Sequence, residues 1–296
     1  MKQKIWRIVG LGILVFFCVG CAASHLDEAK RQYELAMISD SPLPYYKAAL
    51  EELDAVIARD STQYQAYALK GLIYRNLEDF ERATENLEIA KKGSYGGTQS
   101  WVPMMMNVTY GDIFHARATE AIRSNDWEVA KSYQGTSIEF FNSVVNASFD
   151  NIGMASTGNG LGITMQDLYL VAQGRWAAAK FQMAVIAGRL ESKERQDELL
   201  REVTTRLGSI IETYPEATFL RYYLADGYRK QSLTLRRVDP DESQQLQEQA
   251  MAQLRVCAEI GLPTELRNAA VQLFNALSSG AEPEIEQKIL ATIPTR

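Results

Sequence analysis

The sequence predicts an all-α fold built from consecutive helix-turn-helix pairs. Apolar and aromatic residues recur at the i, i+3, i+7, i+10 spacing of an amphipathic helix over residues 80–90, and the same spacing occurs 34 residues earlier over 46–56. Turn-forming residues separate such segments along most of the chain. No alternation of apolar and polar residues is long enough to indicate a strand. These observations favour a stack of helix pairs over a sheet.

The first element is an N-terminal secretory signal over residues 1–20. Lys2, Lys4 and Arg7 precede an uncharged apolar run over 8–19, and small residues follow that run. A helix that spans a bilayer needs about 20 apolar residues, and this run has roughly 12. We therefore predict that the segment directs export and is removed, rather than remaining as a transmembrane helix.

Gly20 and Cys21 resemble the lipobox of bacterial lipoproteins, in which the Cys is lipidated and becomes the mature N-terminus. Cys18 departs from that pattern, which usually has Leu at this position. The resemblance implies a covalent lipid at Cys21, followed by a lipidated tether over residues 21–29. Several acyl chains on one residue would give stable anchoring. The alternative is an ordinary signal that is cut near Ala23, with loss of Cys21.

The segment 64–92 resembles a tetratricopeptide repeat, a helix-turn-helix unit of 34 residues. The family's aromatic, small and aliphatic positions hold Tyr67, Gly71, Tyr74, Phe80, Ala83, Leu87 and Ala90. One period earlier, the positions of the second helix hold Tyr46, Ala49, Leu53 and Val56. The resemblance implies a helical-repeat solenoid of about five to six divergent units over residues 30–277, in which each unit contacts its neighbours. Residues 278–296 would form a C-terminal cap or tail.

Later units follow the pattern less closely. The sequence Asn125-Asp126-Trp127 predicts a turn and the start of a second helix, within a unit over 111–144. The sequence Gly174-Arg175-Trp176 predicts another such turn. A second-helix stripe that ends before Pro215 comprises Leu200, Val203, Leu207 and Ile210. A last helix over 263–277 is predicted to close the array.

An insertion over residues 93–106 separates two of the predicted units. It contains Trp101 and the run Met104-Met105-Met106. Methionine clusters suit adaptable apolar contacts. The run is therefore either part of the core or part of a partner-binding patch.

Catalytic and metal-binding patterns are lacking in the sequence. The two histidines, His25 and His115, have no Cys or second His at the spacing of zinc ligands. No G-x-S-x-G motif occurs, and the Gly-rich stretch 153–162 lacks the Lys-Ser/Thr ending of a phosphate-binding loop. Cys257 lies among apolar residues and is predicted to be a buried small side chain. We expect no enzyme and, apart from the lipid at Cys21, no cofactor.

Charge narrows the class of partner. The net charge of the 296-residue chain is −6. Loss of the signal lowers it to about −9, which argues against nucleic acid and against electrostatic attraction to anionic lipid. The expected partners are therefore proteins, with the membrane reached through the lipid anchor.

Repeat arrays of this family bind peptides or helices on a concave surface lined by the first helix of each unit. Mapping that surface onto this chain gives Gln65, Leu72, Arg75, Asn76, His115, Phe219, Tyr222, Asp226, Arg229 and Lys230 as the candidate partner-binding residues. Arg and Asn suit carboxylate and backbone recognition, and Tyr supplies contact area.

We therefore expect a lipid-anchored, periplasm-facing adaptor or assembly scaffold that binds proteins of the bacterial cell envelope. Ala22 and Ala23 lack the Asp that retains many such lipoproteins in the inner membrane, and the resemblance thus favours the outer membrane. The alternative is a transporter-associated carrier of small molecules or lipids, with a cavity near residues 101–106.

Overall fold

The computed structural model describes residues 25–39, 41–93, 101–152 and 164–278, and these residues form helices and no strand. The prediction of an all-α fold is confirmed. The helices are α1 over 25–38, α2 Leu43–Arg59, α3 Tyr64–Asn76, α4 Phe80–Lys92, α5 Trp101–Arg123, α6 Trp127–Phe149, α7 Met165–Leu190, α8 Lys193–Thr213, α9 Thr218–Leu235, α10 Pro240–Ile260 and α11 Thr264–Ser278. They belong to two compact units, the first ending at Pro103 and the second beginning at Met104 in the described part of the chain.

In the first unit, the predicted 34-residue repeat is confirmed by the buried faces of two helices. The buried residues of α2 are Tyr46, Ala49, Leu53 and Val56. The buried residues of α4 are Ala83, Leu87 and Ala90, while Phe80, the first predicted position of this stripe, is only half-buried. Gly71 of α3 lies where the resemblance requires a close approach, because a Cβ added there would come within 2.6 Å of Leu87 Cγ. The helices α2 and α4, one repeat apart, thus turn matching positions towards the core.

The tether predicted over residues 21–29 is too long, because the chain is already helical at residue 25. Ala29 is 0% exposed and belongs to the core of the first unit. His25 Nδ1 bonds to a carboxylate oxygen of Glu52 in α2. The missed signal is the same spacing of i, i+3, i+7, i+10 in Leu26, Ala29, Tyr33 and Ala36. Cys21 and the predicted signal lie outside the described residues.

In the second unit, consecutive helices are antiparallel. Ser137 Oγ of α6 donates a hydrogen bond to the carbonyl of Gly111 in α5 at 2.8 Å. Ser243 Oγ of α10 donates one to the carbonyl of Ser232 in α9 at 2.9 Å. Both bonds are buried and satisfy polar groups where the paired helices come close.

Alternate helices of the second unit run parallel to one another. Gln182 Nε2 of α7 donates to Thr119 Oγ1 of α5 at 2.9 Å, and Gly174 of α7 lies against the ring of Phe219 in α9. The first helix of each pair therefore contacts the first helix of the next pair, as well as its own second helix. This is the packing of a helical-repeat array.

The turn predicted at Gly174-Arg175-Trp176 is wrong, because α7 runs through these residues without interruption. Gly174 is buried, and a Cβ added to it would lie 3.1 Å from the Phe219 ring. The glycine permits two parallel helices to come close rather than ending one of them. The chain turns instead at Glu191, and the hydroxyl of Ser192 caps α8 by accepting a hydrogen bond from the Arg195 amide.

The insertion predicted over 93–106 is shorter than expected, because α5 already begins at Trp101. The side chains of Trp101, Met104, Met105 and Met106 are between 2% and 7% exposed. The core interpretation of the methionine run is therefore confirmed. Residues 94–100 and the Gly-rich stretch 153–162 lie outside the described residues.

Other element boundaries follow the sequence closely. α6 begins at Trp127, and the Asp126 carboxylate accepts a hydrogen bond from the Val129 amide. The α8 stripe of Leu200, Val203, Leu207 and Ile210 is buried. None of the described helices is both long enough and apolar enough to cross a lipid bilayer.

Candidate partner-binding surface

The parallel helices α5, α7 and α9 of the second unit form a surface that we call the first-helix face. It carries the predicted residues His115, Phe219, Tyr222, Asp226, Arg229 and Lys230. The last five lie on one side of α9 because their spacing follows the helical repeat. The remaining predicted residues belong to the first unit and form a separate set.

Asp226 organises the charged centre of the first-helix face. Its Oδ1 accepts hydrogen bonds from Arg229 Nη2 at 2.9 Å and from Arg229 Nε at 3.2 Å, while Oδ2 pairs with the Lys230 ammonium group. Lys230 Nζ also lies 4.8 Å from the centroid of the Phe181 ring in α7. Burial lowers the pKa of Lys230, and the negative charge of Asp226 opposes this shift. One carboxylate thus holds two cations in place.

Aromatic side chains lie beside this centre. The ring of Tyr222 makes an edge contact with that of Tyr223, with 5.4 Å between the centroids. Burial and the nearby charge of Asp226 raise the pKa of Tyr222 to about 12. Its phenol therefore stays neutral and can donate a hydrogen bond to a partner. Phe219 is half-buried because its ring lies against Gly174 of α7, so only part of the ring can contact a partner.

His115 has a structural environment rather than an open one. Gln134 Nε2 donates to the carbonyl of Ala179 at 2.8 Å and lies 3.2 Å from His115 Nδ1. The amide can serve both groups only as a donor, so Nδ1 is an acceptor and the imidazole proton is on Nε2. Burial lowers the pKa of His115, with Asp112 opposing the shift. The residue joins three helices through Gln134.

Sequence reasoning missed Arg175 of α7. Its Nε lies 3.6 Å from Oδ1 of Asp112 in α5. It was assigned to a turn, although the i, i+3, i+4, i+7 pattern through α7 is unbroken and offered the correct signal. Gln134 was also missed. Its position in α6 gives no sign that its amide reaches two other helices, because that depends on packing.

In the first unit, Arg75, Asn76 and Gln65 are half-buried and Leu72 is 3% exposed. Asn76 Nδ2 donates to the Tyr46 hydroxyl at 3.1 Å. Leu72 was predicted to line the partner-binding surface, but its side chain packs inside the unit. Leu72 is buried because α3 has neighbours on several sides and therefore buries more than one face.

Cys257 is 0% exposed, and its Sγ donates to the carbonyl of Thr218 at 3.4 Å. Burial raises the pKa of its thiol to about 12. The prediction of a buried, unreactive side chain is confirmed. Among the residues that the structure describes, no three His, Cys, Asp or Glu side chains come together as a metal site would require.

The helix contacts define the protein as an all-α protein of paired, tetratricopeptide-like helices. No protein-family model matches the chain, and no curated protein matches it. Among solved structures, it is similar to the C-terminal part of a TPR repeat-containing protein from Cytophaga hutchinsonii, with 12% sequence identity and a TM-score of 0.30 over 91% of this chain and 96% of that chain.

Proposed function

We propose that this protein is a lipid-anchored, periplasm-facing scaffold of the bacterial cell envelope that binds other proteins. The proposal combines the lipobox-like sequence at Cys21 with the first-helix face as the binding surface. The outer membrane is proposed because Ala22 and Ala23 lack the Asp that retains many lipoproteins in the inner membrane. The carrying observation is the group of Tyr222, Arg229 and Lys230 around Asp226, beside apolar side chains that are exposed. We propose no catalytic role.

The apolar part of this surface comes from two neighbouring helices. Val185 of α7 is 46% exposed and Leu233 of α9 is 53% exposed. The contact of Lys230 with Phe181 sets the register of the two helices, and it brings Val185 and Leu233 to the same level of the face. Exposed apolar groups beside Tyr and Arg are typical of protein interfaces.

The charges of the surface favour a protein over a polyanion. Asp226 neutralises one of the two cations that it contacts, so the cluster keeps a single net positive charge. A nucleic-acid surface carries many uncompensated cations. One net cation with aromatic neighbours suits a single acidic side chain on a partner instead.

If the protein were a carrier of small molecules or lipids, we would expect a cavity near residues 101–106. Trp101 and Met104 to Met106 are instead buried side chains of the core. These residues therefore give the carrier alternative no support, and we do not propose it.

Charge reversal on the first-helix face tests the proposal. The tagged protein is purified from detergent-solubilised envelopes, and co-purified proteins are quantified for the wild type and for Arg229→Glu. The matched control is Arg201→Glu, because Arg201 makes a similar ion pair with Asp197 at 2.8 Å within α8. We expect Arg229→Glu to lose specific partners that Arg201→Glu retains. The proposal is wrong if no protein is enriched over an untagged strain, or if Arg229→Glu retains every partner.

A further inference from the structure

Arg206 of α8 is a half-buried cation without an acidic partner in the described part of the chain. Its Nη1 donates to Asn142 Oδ1 of α6 at 3.5 Å, which is long for a hydrogen bond. Glu202, one turn earlier in α8, pairs instead with Lys180 at 2.7 Å. Burial lowers the pKa of Arg206, which reflects the loss of water around its guanidinium group.

Two buried polar atoms on α7 also lack hydrogen-bond partners. Trp176 is 0% exposed and Gln173 is 1% exposed, and neither Trp176 Nε1 nor Gln173 Oε1 has a partner among the described residues. The Arg206 guanidinium lies 4.0 Å from the centroid of the Trp176 ring. Gln173 is buried and lies one turn before Trp176 on α7. Buried polar atoms without partners are costly and rare.

We propose that the junction of α6, α7 and α8 is a binding site for a carboxylate that carries a neighbouring hydroxyl or amide N–H group. Arg206 and the Trp176 indole N–H donate to the carboxylate oxygens, and Asn142 positions the guanidinium. Gln173 Oε1 accepts the hydrogen bond of the neighbouring group. The ligand supplies the negative charge that Arg206 lacks and partners for both unsatisfied atoms.

Two sources can provide this chemistry, namely a small hydroxy acid or the C-terminal residue of a peptide. Both present a carboxylate next to a hydrogen-bond donor. The site shares no residue with the first-helix face. Asn142 and Arg206 belong to the second helices α6 and α8, and Trp176 of α7 lies against Arg206 of α8. Its occupation therefore does not depend on the proposed scaffold function.

The test follows the indole N–H resonances of the full-length protein, labelled with ¹⁵N-tryptophan, in detergent micelles. Lactate is the small probe, and a tripeptide with a free C-terminus is compared with its amidated form. Trp176→Phe assigns the resonance. We expect a saturable shift of the Trp176 signal with lactate or with the free peptide, and none with the amidated peptide.

Arg206→Gln should weaken the binding about tenfold or more, because a charged hydrogen-bond donor is lost. Arg201→Gln is the control on the same helix and should bind like the wild type. Arg206→Lys keeps the positive charge but not the planar donors, and should also weaken binding. If circular dichroism shows that Arg206→Gln does not fold, Arg206→Lys is the variant that tests the proposal. The proposal is wrong if neither probe gives a saturable shift, or if the folded Arg206 variants bind like the wild type.

Discussion

At the level of single residues, the amide of Gln134 determines how His115 behaves. Because this amide donates to the Ala179 carbonyl, only the unprotonated Nδ1 of His115 can face it. Protonation of His115 would place two donors against each other. Burial of the imidazole is the main cause of the lowered pKa of His115, and the charge of Asp112 opposes it.

The stability of the second unit should therefore depend on pH through His115. A folded-state pKa that lies below the unfolded value of about 6.5 means that the unfolded chain takes up the proton first. The contribution of His115 to the free energy of unfolding is then fully present at a pH above the unfolded pKa, and it is lost as the pH falls towards the folded pKa. His115→Asn keeps an acceptor near the position of Nδ1 and does not titrate.

Urea unfolding of the wild type and His115→Asn between pH 7.5 and 5.5 measures this effect. We expect the wild type to lose more stability than the variant as the pH falls. Equal losses in the two proteins would contradict the prediction, since all other titrating groups are shared.

At the level of elements, glycines determine how closely paired helices approach. A Cβ added to Gly111 of α5 would lie 2.5 Å from Phe141 Cε1 in α6, and the aromatic ring has little freedom to move. Gly135 of α6 has nothing within 4 Å of an added Cβ. The sequence does not separate these two glycines, because both lie within helical patterns.

Gly111→Ala should destabilise the protein by about 1–3 kcal/mol, because the extra methyl group overpacks the contact between α5 and α6. Gly135→Ala should stabilise it by about 0.5–1 kcal/mol, because alanine loses less backbone entropy in a helix. Chemical denaturation followed by circular dichroism compares the two variants with the wild type. A neutral Gly111→Ala would show that α5 and α6 can separate without cost.

The turns between elements were predictable where local chemistry formed them. Asn125-Asp126-Trp127 contains the Asp that caps α6, and this signal acts over a few residues. Gly174-Arg175-Trp176 shares only the tryptophan with it, and Arg175 stands where Asp126 supplies the capping side chain. Its glycine serves a contact with α9, which is distant in sequence.

At the level of the whole molecule, the proposed lipid at Cys21 would keep the protein-binding surface at a membrane. The acidic net charge offers no electrostatic attachment to anionic lipid. Attachment in this proposal therefore depends on the acyl chains alone.

Cys21→Ser should release the protein into the soluble fraction after cell lysis, because the lipid is no longer attached. Cys18→Ser is the matched control and should remain in the membrane fraction, since it retains Cys21. Fractionation followed by immunoblotting makes the comparison. Continued membrane retention of Cys21→Ser would contradict the lipid anchor.

The sequence by itself determined the helical class, the repeated stripes of α2 and α4, and the capped start of α6. These features depend on helical periodicity and on contacts within a few residues, and both can be recognised from the local sequence. Only the tertiary structure decided that Leu72 is buried, that Gln134 joins three helices and that Arg206 has no acidic partner in the described segments. Each of these depends on which faces of distant helices meet, and a helix with several neighbours has no single buried face that its sequence could reveal.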